Sequence, residues 1–124
     1  MRIVLVEDDD DLRQEISEYL RRRGHDVSAC ATMEESRRTL GLPGIAPDAV
    51  ICDMNLPDGN GADLCAEAAP RLPSCRWVLM SGAHEPDELA EKLAGIAGPP
   101  RWVVVDKPVS MRALNQALDP AARS

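Results

Sequence analysis

The chain has 124 residues, the size of one domain with one real hydrophobic core. Its 44% hydrophobic and 28% charged residues are ordinary for a globular fold and exclude disorder. A net charge of −7 argues against direct nucleic-acid binding, which needs a basic surface, and suits cations and basic partners instead. No apolar stretch approaches the length of a membrane span and no signal-peptide pattern follows Met1, so the cytoplasm is the expected compartment and no membrane partner is expected.

With no Phe, two Trp and one Tyr, the core has to be aliphatic. Ile3–Val6 is a β-branched-rich run that reads as a buried strand. Leu12, Ile16, Tyr19 and Leu20 then recur at helical spacing. Arg21, Arg22 and Arg23 suit the last turn of that helix, and Gly24 is placed to end it. Val27–Ala31 reads as a second strand. Thr32 with Glu35 makes a capping box for a helix running to about Leu40. After the Pro/Gly loop of residues 41–48, Ala49–Cys52 is the third strand. The turn LPDGNG leads to a short helix over Ala62–Ala69 that Pro70 stops. Trp77–Met80 is the fourth strand, Pro86–Ala94 a helix, Trp102–Val105 the fifth strand, and Ser110 caps a last helix with an apolar face of Met111, Leu114 and Leu118. Five strands alternating strictly with five helices predict an α/β fold, a doubly wound parallel sheet with helices on both faces. Cys30, Cys52, Cys65 and Cys75 form no CxxC pair, which disfavours a zinc site and reads as four reduced core residues.

In such sheets ligands bind at the carboxyl ends of the strands. There the first strand presents Glu7, Asp8 and Asp9, the third Asp53, the fourth Ser81 and the fifth Lys107. Asp10 and Asp11, and to a degree Asp9, are explained by the positive end of a helix. Glu7 and Asp8 come too early for that, and Asp53 directly follows an apolar strand. Clustered carboxylates repel one another unless they hold a cation. Oxygen ligands without His or Cys point to Mg2+.

The segments IVLVEDD, ICDMNLPDGNG, VLMSG and VVVDKP, in this order and at these strand ends, resemble the response-regulator receiver domain of two-component signal transduction, in the CheY-like superfamily. The match runs from Ile3 to Pro108. The resemblance implies a flavodoxin-like (βα)5 sheet of order 2-1-3-4-5 and a single receiver domain over residues 1–124, with no effector domain visible. It implies that Asp53 is phosphorylated and that Asp8, Asp53, Glu7 and the backbone carbonyl of Asn55 hold Mg2+. Ser81 and Lys107 match the phosphoryl-contacting pair, and Lys107–Pro108 matches a cis peptide. The implied partners are a sensor histidine kinase or histidine phosphotransfer protein and a downstream target or fused effector. A homodimer is compatible with all of this.

The chemistry is coherent in its own terms. A carboxylate is a poor nucleophile toward an anionic phosphoryl donor, and Mg2+ and Lys107 would neutralise that repulsion. One departure concerns the switch: receivers place Tyr or Phe three residues before the lysine, and here Val104 stands there, with Trp102 two residues earlier on the same side. His84 reads as an exposed loop residue near the crevice and His25 as structural. Asp106 is expected to point away from the site, and Asp58 to shape a turn without touching metal. The protein is expected to be no enzyme beyond self-catalysed phosphotransfer and autodephosphorylation. A degenerate receiver that binds proteins without phosphorylation is the alternative. An aspartate-nucleophile phosphohydrolase of the haloacid dehalogenase type would need an Asp where Asn55 stands, and a flavodoxin-like flavin carrier would meet the EDDDD loop with its phosphate.

Overall fold

A computed structural model describes residues 1–82 and 102–118. The predicted helix over 86–94, the loop 95–101 and His84 lie outside the described residues. Five strands, β1 (Arg2–Val6), β2 (Asp26–Cys30), β3 (Ala49–Asp53), β6 (Arg76–Ser81) and β7 (Trp102–Asp106), form one sheet in the order β2-β1-β3-β6-β7. Every neighbouring pair in it is parallel. In terms of these five sheet strands this is the expected 2-1-3-4-5. The numbering gap is filled by β4 (Asn55–Leu56) and β5 (Gly59–Asn60), a two-rung antiparallel hairpin inside the segment expected as a plain turn.

The helices begin and end where local chemistry dictates. In α1 (Asp10–Arg22), Asp9 caps the N-terminus by accepting from the N–H groups of Asp11 and Leu12, with acids in the first turn and arginines in the last. Gly24 follows at φ +89°, a left-handed conformation that a residue with a Cβ rarely adopts. In α2 (Met33–Leu40), Thr32 accepts from the Glu35 N–H at 3.1 Å, as the capping box requires, while the Glu35 carboxylate reaches back to the Ala31 N–H at 3.3 Å. Asn60 caps α3 (Gly61–Ala68), which a 3-10 turn at Ala69–Arg71 closes around Pro70. Ser110 accepts from the Ala113 N–H at 2.9 Å at the start of α4 (Met111–Leu118).

Alternation along the strands divides the interior into two cores. Ile3, Leu5, Ile51, Val78 and Met80 face Ile16 and Leu20 of α1 and Leu114 and Leu118 of α4. Val4, Val50, Trp77 and Leu79 face Met33 of α2 and Leu64 of α3, together with Cys30, Cys52, Cys65 and Cys75. All four thiols are free and buried, and burial raises the pKa of each. Both faces of β3 are covered, so all five of its residues are buried. Removing one such aliphatic side chain typically costs about 2–5 kcal/mol, so the ends of β1, β3 and β6 rest on a stiff floor. Among the described residues no helix is long and apolar enough to cross a membrane.

Candidate functional site

The sheet ladder continues one residue beyond several strands and thereby aims the polar residues. Glu7 N–H donates to the Cys30 carbonyl at 3.0 Å, Met54 N–H to the Met80 carbonyl at 2.9 Å, and Lys107 N–H to the Ser81 carbonyl at 2.7 Å. These bonds bring together side chains from four parts of the chain.

Lys107 Nζ donates to Asp53 Oδ2 at 2.9 Å and to Glu7 Oε1 at 3.2 Å. Both carboxylates are buried, Glu7 at 0% and Asp53 at 4% exposure, whereas Asp8 is exposed. Glu7, Asp8 and Asp53 offer oxygens that all lie within 4.8 Å of one another. The remaining oxygen of each buried acid is also held: Asp53 Oδ1 accepts from Asn55 N–H at 3.0 Å, and Glu7 Oε2 from Asp9 N–H at 3.1 Å. Ser81 Oγ is buried at the same edge and has no hydrogen-bond partner among the described residues. A buried hydroxyl without a partner is costly unless a ligand supplies one.

The electrostatics follow from burial. Desolvation first, then the hydrogen-bonded Asp53 carboxylate, push Glu7 up to about 7, against the pull of the Asp9 N–H and the Lys107 ammonium. Burial by itself would lower Lys107, but the hydrogen bond to Asp53 and the charges of Glu7 and Asp53 outweigh it and leave the ammonium more firmly protonated than usual. The Cys52 thiol is kept protonated by burial and by the adjacent Asp53, so it is no rival nucleophile.

The family model of the response regulator receiver domain matches residues 3–119. The chain belongs to the response regulator receiver family. It is thus a receiver domain of two-component signalling. The response regulator FleR of Pseudomonas aeruginosa is 33% identical over 98% of this receiver and 24% of its own length. The DNA-binding transcriptional activator DevR/DosR of Mycobacterium tuberculosis is 31% identical over 52% of this receiver and 29% of its own length. The sensor kinase CckA of Brucella abortus is 29% identical over 90% of this receiver and 11% of its own length. The chain therefore spans under a third of each of these three curated relatives. Among solved structures, a receiver domain protein of Methanospirillum hungatei superposes with a TM-score of 0.83 at 21% identity, over 98% of this chain and 93% of that one. A Burkholderia pseudomallei response regulator, solved with a phosphorylated aspartic acid, calcium ion and citrate, gives 0.80 at 18% identity over 98% and 68%. At such identities the likeness is one of fold.

The remaining residues of the receiver take these places. Asn55 is exposed, with its N–H held by Asp53. The Lys107–Pro108 bond is cis. Val104 is half-buried and paired with Leu79, and it packs with Trp102 against the core under α2 and α3. Ser81 is paired with Asp106 instead. Asp106 is exposed and His25 lies at the opposite edge, with Nδ1 3.2 Å from the N-terminal amine. Gly61 passes so close that a Cβ there would collide with the Asp53 carbonyl oxygen, so the backbone after the site has no room for a side chain. Two residues escaped the sequence reading. Asp58, taken only as a turn former, accepts from the N–H groups of Met33 at 2.9 Å and Glu34 at 3.2 Å, capping α2 from the hairpin tip. Arg13, six residues after Glu7, donates to its carbonyl at 2.9 Å. An acid at a turn tip and an arginine in a first helical turn were the available signals, but neither names its partner.

Proposed function

We propose that this receiver accepts a phosphoryl group on Asp53 in a Mg2+-dependent reaction, from a sensor histidine kinase or a histidine phosphotransfer protein in the cytoplasm. The observation that carries the reading is the pairing of Asp53 with Lys107 at 2.9 Å, at a buried edge shared with Glu7 and Asp8. The residues present suit a divalent cation: three carboxylate donors close together, two of them buried acids that share one ammonium, while the neighbouring Cys52 thiol is kept protonated and so is a poor metal ligand. Asp8, Asp53 and the Asn55 carbonyl would hold the ion, with Glu7 reaching it directly or through water. Bound there, Mg2+ would neutralise charge on the phosphoryl oxygens and help align donor and acceptor.

The chain's own groups do the rest. The hydrogen bonds from Asn55 N–H and Lys107 Nζ fix the Asp53 carboxylate in one orientation before a donor arrives. As the phosphorus–nitrogen bond to the donor imidazole breaks, a phosphorus–oxygen bond to Asp53 forms, and the nitrogen keeps the electron pair and takes up a proton. Lys107 can then turn its N–H groups from the phosphorylated Asp53 carboxyl to a phosphoryl oxygen, while Glu7 keeps the ammonium in place. Ser81 Oγ gains the partner it lacks. Asn55 has no acidic proton to give to a leaving group, which disfavours turnover as a phosphohydrolase. Downstream, the phosphorylated receiver would switch contacts with a target or fused effector.

The test is intact-mass spectrometry after incubation with a small phosphodonor and Mg2+. One added phosphoryl group is expected, lost in Asp53→Asn and in chelator. Labelling that persists in Asp53→Asn would place the acceptor elsewhere. A wild type that takes no label from any donor, while remaining folded, would favour the phosphorylation-independent module.

A further inference from the structure

Arg13 sits in the first turn of α1 and has no place in the chemistry above. Its side chain is only 24% exposed, and its guanidinium is forked: Nη1 donates to the Glu7 carbonyl at 2.9 Å and Nη2 to Asp10 Oδ1 at 2.5 Å. The Glu7 carbonyl belongs to the peptide group that joins Glu7 to Asp8. That group is planar, so fixing its C=O direction also fixes the direction from which Asp8 leaves the strand.

Asp8 is the acid that needs this help. The Glu7 and Asp53 carboxylates each have both oxygens held. The Asp8 carboxylate is exposed and makes no hydrogen bond or ion pair among the described residues. It is also part of five consecutive acids, Glu7–Asp11, whose mutual repulsion favours opening the loop. The loop is pinned at both ends, by Glu7 N–H on the Cys30 carbonyl and by Arg13 N–H on the Asp9 carbonyl. Between those pins, Glu7 Oε2 holds the Asp8–Asp9 peptide through the Asp9 N–H, and the Arg13 guanidinium holds the Glu7–Asp8 peptide through the Glu7 carbonyl.

We propose that Arg13 is a positioning residue of the cation site, fixing the Glu7–Asp8 peptide so that the Asp8 carboxylate faces Asp53. This rests on the Mg2+ reading above. The competing account is simple charge: a guanidinium beside the site repels a divalent cation, and its removal would tighten binding. The two accounts differ in sign, which makes the question decidable.

Mg2+ is titrated calorimetrically into the wild type, Arg13→Ala, Arg13→Lys, Asp8→Ala and the Asp8→Ala/Arg13→Ala double variant, with thermal melts to verify folding. Arg13→Ala is expected to weaken Mg2+ binding about tenfold, the low end of what outer partners of metal ligands contribute. Arg13→Lys should fall between, because one ammonium can reach the Glu7 carbonyl but cannot reproduce the fork. In the Asp8→Ala background the Arg13→Ala change should do almost nothing further, since the ligand it positions is gone. A merely structural role would weaken both backgrounds equally and would overturn the proposal. Unchanged or tighter binding in folded Arg13→Ala, or in Arg13→Lys should Arg13→Ala fail to fold, would overturn it too. A folded wild type that binds no Mg2+ would overturn the cation reading itself, and this inference with it.

Discussion

Apparent Mg2+ affinity is expected to rise with pH, and Glu7 supplies both sign and size. Burial and the Asp53 carboxylate push Glu7 up to about 7 in the metal-free protein. A cation among Glu7, Asp8 and Asp53 favours ionised Glu7, so binding below that value expels a proton. For one linked proton, the apparent Kd scales as one plus the ratio of protonated to ionised Glu7. That factor is about 1.1 at pH 8 and about 11 at pH 6, a roughly tenfold weakening worth about 1.4 kcal/mol. The same group sets a stability trend. Its folded pKa lies above the ordinary 4.5, so its contribution is fully present below pH 4.5 and is lost as pH rises through about 7. Mg2+ should therefore raise the Tm more at pH 8 than at pH 6. Calorimetric titration at the two pH values, each in two buffers of different protonation enthalpy, reads Kd and proton release together. A Kd that is flat from pH 6 to 8 with no proton released would refute the reasoning. It would mean that the Lys107 ammonium already holds Glu7 ionised without metal.

Two further substitutions separate the parts of the site. Lys107→Ala should slow phosphorylation by a small donor roughly 100-fold at saturating Mg2+, the usual loss for one preorganised donor. It should leave Mg2+ affinity equal or higher, because a competing cation has gone, and parallel losses of both would make Lys107 merely structural. Asp58→Ala removes the acceptor from the first two N–H groups of α2, so residues 33–36 should exchange amide hydrogens faster and the Tm should drop a little. Unchanged protection over that turn would show that Thr32 suffices as the cap.

Much of this was legible along the chain because the signals are local. Hydrophobic period distinguishes strand from helix within a few residues, and it placed the sheet strands to within one residue at each end. Thr32 with Glu35 and Ser110 with Ala113 act within one turn of backbone, so their caps could be read directly. Asp53 stood out because a charge directly after an apolar strand has few structural excuses, and Lys107 because the VVVDKP segment matches the receiver pattern at the end of the fifth strand. Tertiary structure decided what depends on distant partners. Glu7 and Asp8 are adjacent acids, yet the first is buried against Lys107, 100 residues away in sequence, and the second stays exposed. That difference raises the pKa of Glu7, and no local pattern encodes it. Asp58 looks like any turn aspartate until the hairpin carries it to α2, 25 residues back. Arg13 looks like an ordinary first-turn cation until the path of β1 puts the Glu7 carbonyl beneath it. Propensity and periodicity are properties of neighbours in sequence. Burial, charge pairing and capping across elements belong to neighbours in space, and these arise only once the sheet has ordered its strands.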